Sequence, residues 1–268
     1  MPQDIATVVA RNLDLGRGHF LLEFLAPAAA AEMTPGQFFM IGIPGAEVLL
    51  RRPFSVCGLP GTFDGVPDGA VQVLYKVVGR GTALMSSLRP GAPLTALGPL
   101  GRGFDLDLAP GVRPLCVAGG IGSAPFPALA AALAARGLAS TLVYGARNAG
   151  DLPLLDWFRE RCDAVVVATE DGSAGRRGLV TGPLEEMLDG AGPVKIFACG
   201  PNPMLKAVTA IARSRAIPCD LSLEAHMACG FGVCLGCVVP THAGSGKGTV
   251  FERVCVEGPV MPAEKLAW

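Results

Sequence analysis

The sequence predicts three units in series: a small antiparallel β-barrel, a doubly wound parallel α/β sheet, and a short C-terminal module organised by cysteine. Three observations carry that prediction. Residues from about 5 to 108 hold Val- and Leu-rich runs punctuated by Gly, Pro and Asp turns, and turns at such intervals suit a small closed antiparallel sheet. Beyond Ala109-Pro110-Gly111, short apolar runs alternate with helix-like segments, the rhythm of a parallel sheet. From about Leu223 that rhythm stops, and Cys229, Cys234, Cys237 and Cys255 follow in a C-x4-C-x2-C spacing with a distant fourth. The boundaries drawn from these shifts are 1–108, 109–222 and 223–268.

In the first unit, runs such as Val71-Gln72-Val73-Leu74-Tyr75-Lys76-Val77-Val78 read as strands. They are bounded by Pro60-Gly61, Asp64-Gly65, Pro67-Asp68-Gly69 and Pro90-Gly91. In the second, strands are expected at 115–118, 141–144, 164–169 and 195–198. Helices are expected at 128–136, 155–161, 182–188 and 203–212. The chain has 268 residues, half of them hydrophobic and 17% charged, enough to bury more than one core. A formal net charge of −1 without a basic run gives no surface for nucleic acid.

The mean hydropathy of +0.45 raises the question of a membrane span. The uncharged stretch 114–135 is the best candidate, but Gly119, Gly120, Gly122, Pro125 and Pro127 break it. It reads as a strand, a glycine turn and a buried helix. The N-terminus shows no charged region followed by an apolar stretch, so a cytoplasmic protein outside the membrane is expected. The nine cysteines are an odd number. Cys57, Cys116, Cys162 and Cys219 sit singly in apolar segments, as small buried residues in a reducing compartment do.

The four C-terminal cysteines are different. Their spacing is that of plant-type [2Fe–2S] ligation, and the glycines of Cys229-Gly230-Phe231-Gly232-Val233-Cys234-Leu235-Gly236-Cys237 suit a tight loop that turns backbone N–H groups toward sulfur. Structural zinc is the competing reading, but zinc sites usually show paired short knuckles. His226, three residues before Cys229, is expected to be a surface or packing residue. His19 and His242 have no supporting context, and Glu224 could lie near a nicotinamide, although a solvated helix or strand end is the simpler expectation.

Three further motifs bear on nucleotides. Arg51-Arg52-Pro53-Phe54-Ser55-Val56 combines a guanidinium for a pyrophosphate, an aromatic ring and a hydroxyl. Tyr75-Lys76-Val77-Val78-Gly79-Arg80-Gly81-Thr82 is a strand followed by a glycine turn into a helix, where backbone N–H groups favour phosphate. A plain turn with Thr82 as helix N-cap is the simpler reading. Val117-Ala118-Gly119-Gly120-Ile121-Gly122-Ser123-Ala124-Pro125 is a strand-to-helix turn, either for a phosphate or for close packing alone. Cys199-Gly200-Pro201-Asn202-Pro203-Met204 is a second such turn. Asp171-Gly172-Ser173 could border a ribose or form an ordinary loop.

These motifs resemble the R-x-[YF]-S, G-x-G-[TS], GGxGxAP and CGPxPM elements of the ferredoxin–NADP reductase superfamily. With the cysteine module and its Cys255-Val256-Glu257-Gly258-Pro259-Val260 ending, the whole chain resembles the electron-transfer subunits of class B, NAD-dependent dihydroorotate dehydrogenase. The resemblance implies a FAD-binding barrel, an NAD-binding sheet and a [2Fe–2S] module. It puts FAD on Arg52, Pro53, Phe54, Ser55, Leu74, Tyr75, Lys76, Gly81 and Thr82. NAD(H) would lie on Gly119, Gly120, Gly122, Cys199, Gly200 and Pro201, and the cluster on Cys229, Cys234, Cys237 and Cys255. It implies an FMN-containing catalytic partner that oxidises dihydroorotate in pyrimidine biosynthesis, in a heterotetramer with two copies of each subunit, and no catalytic acid or base on this chain. The chain departs from the family pattern in a longer spacer after the third cysteine, with glycine-rich residues 243–248 inserted. The alternative within redox enzymes is a FAD and [2Fe–2S] reductase subunit of a hydrogenase, a sulfide dehydrogenase or an NADH–ferredoxin oxidoreductase.

Overall fold

The structure is a computed structural model that describes residues 2–190, 192–243 and 248–268. Its first element is a 14-residue strand, β1 (Gln3–Gly16), whose early residues alternate between half-buried and exposed, as a strand with one wet face must. β1 turns into β2 (His19–Leu25), followed by the short helix α1 (Pro27–Glu32) and by β3 (Phe38–Gly42) and β4 (Arg52–Gly58). Next come β5 (Ala70–Lys76), helix α2 (Arg80–Ser86) and β6 (Pro93–Leu100). The six strands close into a barrel in the order β1-β2-β5-β4-β3-β6, filled by Leu22, Phe24, Phe39, Ile41, Val56, Val73 and Tyr75.

The second unit alternates as expected: β7 (Arg113–Gly119), α3 (Phe126–Ala134), β8 (Thr141–Ala146), α4 (Leu155–Arg161), β9 (Ala164–Thr169), β10 (Arg176–Arg177), α5 (Thr181–Asp189), β11 (Val194–Cys199), α6 (Asn202–Ser214) and β12 (Cys219–Ser222). The two-residue β10 and the four-residue β12 were not among the expected strands. The sheet order is β10-β9-β8-β7-β11-β12-β15, parallel up to β12. Its last strand, β15 (Val260–Pro262), runs antiparallel to β12 and comes from the cysteine-bearing segment. That segment also holds a hairpin of β13 (Val238–His242) and β14 (Thr249–Arg253). Positions 244–247 of the glycine-rich spacer lie outside the described residues.

The segment carrying the cysteines shares a core rather than owning one. Cys237, Val254 and Cys255 are buried in the same cluster as Leu115, Val117 and Ile196 of the sheet and Phe38, Met40 and Leu100 of the barrel. Barrel and sheet also meet directly. Leu21, Cys57 and Leu74 on the outer barrel face pack on Ala124, with Ile121 and Leu154 beside them. This contact explains why the first six residues of β5 are all buried: one face lines the barrel core, and the α/β unit covers the other.

Candidate functional site: a dinucleotide cleft beside a four-cysteine loop

The seam between barrel and sheet opens into a cleft of about 580 Å³. Arg52, Pro53, Phe54, Ser55, Leu74, Tyr75, Lys76 and Thr82 line it from the barrel, and Gly122 and Cys199 from the sheet. Two sequence segments more than twenty residues apart meet here because β4 and β5 are neighbours in the barrel. Gly81 lies against the Arg52 guanidinium: a Cβ there would stand 2.5 Å from Arg52 Nε. The helix turn and the cation are therefore built for one another. Thr82 is not the N-cap, which is Gly79. Its hydroxyl instead accepts hydrogen bonds from the Val78 and Gly79 N–H groups and donates to the Gly79 carbonyl, fixing the turn. Phe54 meets Tyr75 edge-on at 5.8 Å, and Tyr75 stacks on Phe20 at 5.5 Å. Burial holds the Tyr75 phenol up to about 12, so it stays neutral.

Across the cleft, the two glycine turns of the sheet touch. A Cβ on Gly119 would meet Met204 and Pro201, and one on Gly122 would stand 2.5 Å from the Cys199 carbonyl. Gly200 faces Met204 and the Cα of Gly119. Gly120 differs: its φ is +54°, and a Cβ there would have only the Asp151 carbonyl within 4 Å, at 3.9 Å. Close packing thus accounts for two of the three glycines, and backbone conformation for the third. Tyr144 braces the turn from below through its hydroxyl, which bonds Ser123 Oγ (2.8 Å) and the Gly120 and Pro153 carbonyls.

Sequence reasoning missed part of this site. Ser222, Met227 and Pro259 line the cleft, with His226 and with Glu224, which is exposed just beyond β12 as expected. It remains open to the cleft while surrounding protein pushes its carboxyl upward by desolvation. The buried Cys199 thiol beside it is pushed up to about 12, chiefly by burial and then by the Glu224 charge. The pair keeps a protonated thiol and a reluctant carboxylate at the point where barrel and sheet meet. His19, without context in the sequence, is buried at the domain seam, 4.0 Å from Asp151. Asp171 turns onto its own loop, accepting from the Ser173 N–H and hydroxyl.

The cysteine loop packs against the middle of β3. Gly230 and Gly232 adopt φ of +80° and +89°, and a Cβ on Gly230 would run into Met40 of β3. Arg253 bonds the Gly232 carbonyl at 3.2 Å and pairs with Glu257 at 2.5 Å, pinning the loop. Among the described residues no three His, Cys, Asp or Glu side chains converge as a single metal ion requires. Cys229 interacts with Cys234, and Cys255 with Cys237 and with Cys229, so the four thiols share one neighbourhood. Burial pulls the Cys229 thiol up, but the N–H groups of Cys234, Phe231 and Val233 outweigh it and bring it down to about 6. These residues fit a dinuclear iron–sulfur group: donors of the right chemistry, with amides aimed at sulfur.

Comparison with known proteins agrees with this geometry. Residues 116–210 match the oxidoreductase NAD-binding domain, and residues 224–267 match the iron–sulfur cluster binding domain of dihydroorotate dehydrogenase B. Over 263 residues (97% of this chain, 96% of the relative) the chain is 39% identical to the dihydroorotate dehydrogenase B (NAD(+)) electron transfer subunit of Geobacillus thermodenitrificans. The chain belongs to this family of electron-transfer subunits. The subunit from Caldanaerobacter subterraneus is 41% identical over 87% of the chain and 86% of its own length. Among solved structures, a NADH-dependent reduced ferredoxin–NADP oxidoreductase superposes with a TM-score of 0.83 and 29% identity, covering 98% of this chain and 90% of that one. A ferredoxin NADP+ reductase from Neisseria gonorrhoeae with bound FAD and NADP shares the fold (TM-score 0.64, 16% identity, 79% of this chain and 91% of that one). The chain is an NAD-linked flavin and iron–sulfur oxidoreductase subunit. Among the described residues no helix is long and apolar enough to cross a membrane.

Proposed function

We propose that this chain carries electrons between a partner subunit that oxidises dihydroorotate to orotate and NAD+, with FAD in the cleft and [2Fe–2S] on the four cysteines. The observation that carries this reading is the shared scaffold. β3 supplies Phe38 to the cleft and Met40 to the cysteine loop, and the 255–259 segment runs from Cys255 to the cleft residue Pro259. An iron–sulfur cluster supplies one-electron transfer, and a flavin couples it to hydride transfer.

The residues divide the work. Arg52 over Gly81, with the Thr82-braced turn, would clamp the FAD pyrophosphate. Pro53, Phe54, Leu74 and Tyr75 would wall the flavin, with Ser55 and Lys76 as its polar contacts. The glycine turns at 119–122 and 199–201 would seat the dinucleotide so that its nicotinamide end meets Cys199 and Glu224 at the flavin. Cys229, Cys234, Cys237 and Cys255 would hold the cluster. The division at 1–108, 109–222 and 223–268 then separates flavin, nucleotide and cluster functions, although the third segment shares its core with the first two.

The partner in this reading binds FMN and assembles with this chain as two copies of each. Supporting a docking face at the cluster, Phe231, Val233, Leu235, Val238 and Phe251 are all exposed around the cysteine loop and its hairpin. The test is co-purification with the catalytic subunit, followed by dihydroorotate-dependent reduction of NAD+. A complex that forms, contains flavin and iron, yet reduces no NAD+ from dihydroorotate would overturn the reading.

A further inference from the structure

An ion pair of fixed geometry lies against the cysteine loop. Arg253 ends β14 opposite Val238, the residue after Cys237, and stands two places before Cys255. Its guanidinium forks onto Glu257, with Nη2 to Oε1 at 2.5 Å and Nε to Oε2 at 3.1 Å. The Arg253 backbone N–H donates to the same Oε2 at 2.7 Å. In return, the Val256 and Glu257 N–H groups donate to the Arg253 carbonyl at 3.1 and 2.9 Å. Both side chains are thereby locked, unlike the many surface ion pairs whose gain is lost to side-chain entropy. Glu252, one place earlier, is paired with Lys265 at 2.6 Å instead.

The third guanidinium nitrogen reaches the loop itself. Nη1 donates to the Gly232 carbonyl at 3.2 Å, and the Gly232 N–H is bonded to the Cys255 thiol. A Cβ on Gly232 would stand 3.0 Å from that same Nη1, so glycine lets the cation close on the loop. Arg253 is held above its ordinary value first by Glu257, against desolvation, and also by the charges of Cys255 and Cys237. The Arg253 fork in turn keeps the Glu257 carboxyl below its ordinary range. A fixed cation and its fixed anion thus stand beside two of the four sulfur donors.

We propose that the Arg253–Glu257 pair tunes the reduction potential of the iron–sulfur group on the four cysteines. Arg253 raises the potential, both as a cation and as the brace of the Gly232 amide, and Glu257 offsets part of that rise. Reduction adds one electron, supplied by the electron-transfer reaction of the complex, and one negative charge to the group. No bond is made or broken, and no proton is taken up. A cation fixed beside the sulfurs favours the added charge, an anion disfavours it, and an amide donating to sulfur acts with the cation. The two side chains are 35% and 24% exposed, so water and salt screen them and the effect is modest.

This rests on the cluster assignment above, and the test separates the two. The complex with its catalytic partner is poised at a series of potentials, and the signal of the reduced iron–sulfur centre is followed by electron paramagnetic resonance. Iron and sulfide are measured alongside. Arg253→Gln keeps a donor for Gly232 but loses the charge. Its reduced-to-oxidised ratio at a given potential should fall about fivefold, which is about 40 mV for a one-electron centre. Glu257→Gln leaves the cation uncompensated and should move the potential upward by a similar amount. Arg253→Lys keeps the charge without the fork and should recover most of what Arg253→Gln loses. If Arg253→Gln loses its iron, the sign of the Glu257→Gln shift decides. Shifts of the same direction in the two glutamine variants, or unchanged potentials at any iron content, overturn the proposal and leave the cluster in place. An unmodified complex without an iron–sulfur signal sinks both.

Discussion

In the cysteine loop, Gly230 and Gly232 sit at positive φ and press against Met40, Val256 and Arg253. In the nucleotide turn, Gly119 and Gly122 press against the second glycine turn, and only Gly120 combines positive φ with open space. Both stretches look alike as sequence. The first is shaped around its own sulfur atoms, with amides of the loop turned to Cys229. The second is shaped by a partner turn some eighty residues later, and its one open position lies beside the Asp151 carbonyl. A glycine-rich motif can thus mark either a ligand's approach or the approach of another stretch of chain, and only contacts distinguish them.

Breaking the cysteine loop should have the largest effect. Cys255→Ser removes one member of the buried pair, and dihydroorotate-dependent NAD+ reduction by the complex should fall more than about 100-fold, beyond the loss usual for an outer-shell partner. Flavin absorbance and NADH-dependent dye reduction should survive, because the cleft does not use that thiol. Loss of flavin together with the cluster would show that the two regions fold as one site.

The nucleotide turn can be tested by contrasting two neighbouring glycines. Gly122→Ala forces the turns apart against the Cys199 carbonyl, and should cost about 2–3 kcal/mol of stability in thermal or denaturant unfolding. Gly120→Ala meets no such contact and should cost about 1 kcal/mol from its backbone conformation alone. Equal costs at the two positions would remove the distinction between packing and open glycine.

On the barrel side, Gly81→Ala should displace the Arg52 guanidinium and weaken FAD retention roughly tenfold, measured as flavin lost on dilution or dialysis. Cluster content should be unchanged. Retained FAD affinity would mean that Arg52 is not its clamp.

The smallest effect concerns Glu224. Burial raises its folded-state carboxyl value, so the folded protein binds the proton more tightly than the unfolded chain does. Stability is then lost as pH rises from the ordinary carboxylate range to the raised value. Glu224→Gln should remove that loss, giving the variant a stability advantage near pH about 7 that disappears near pH about 4. An advantage of the same size at both pH values would point to packing instead of charge.

Much of the molecule was readable along the chain. The alternation of β7, β8, β9 and β11 with their helices, the position of each glycine turn and the cysteine spacing depend on residues a few places apart. Their signals survive without knowledge of the fold. Glu224 stands exposed just beyond β12, as expected, and what the sequence hid is that the cleft opens beside it. His19 had no sequence signal, since Lys76 and Asp151 lie 57 and 132 positions further on. The continuous burial of β5 was likewise hidden, because it follows from Ala124 and Ile121 covering the outer barrel face.

The sequence by itself determined the spacing of Cys229, Cys234, Cys237 and Cys255, the order of barrel and α/β unit, and the positions of the glycine turns. Spacing and backbone permissiveness are local properties. Only the tertiary structure decided that β15 of the cysteine segment completes the nucleotide sheet, that β3 serves cleft and loop at once, and that Lys76, Asp151 and His19 share one seam. Those outcomes depend on which distant surfaces bury one another, and that choice is made by the packing of the whole chain.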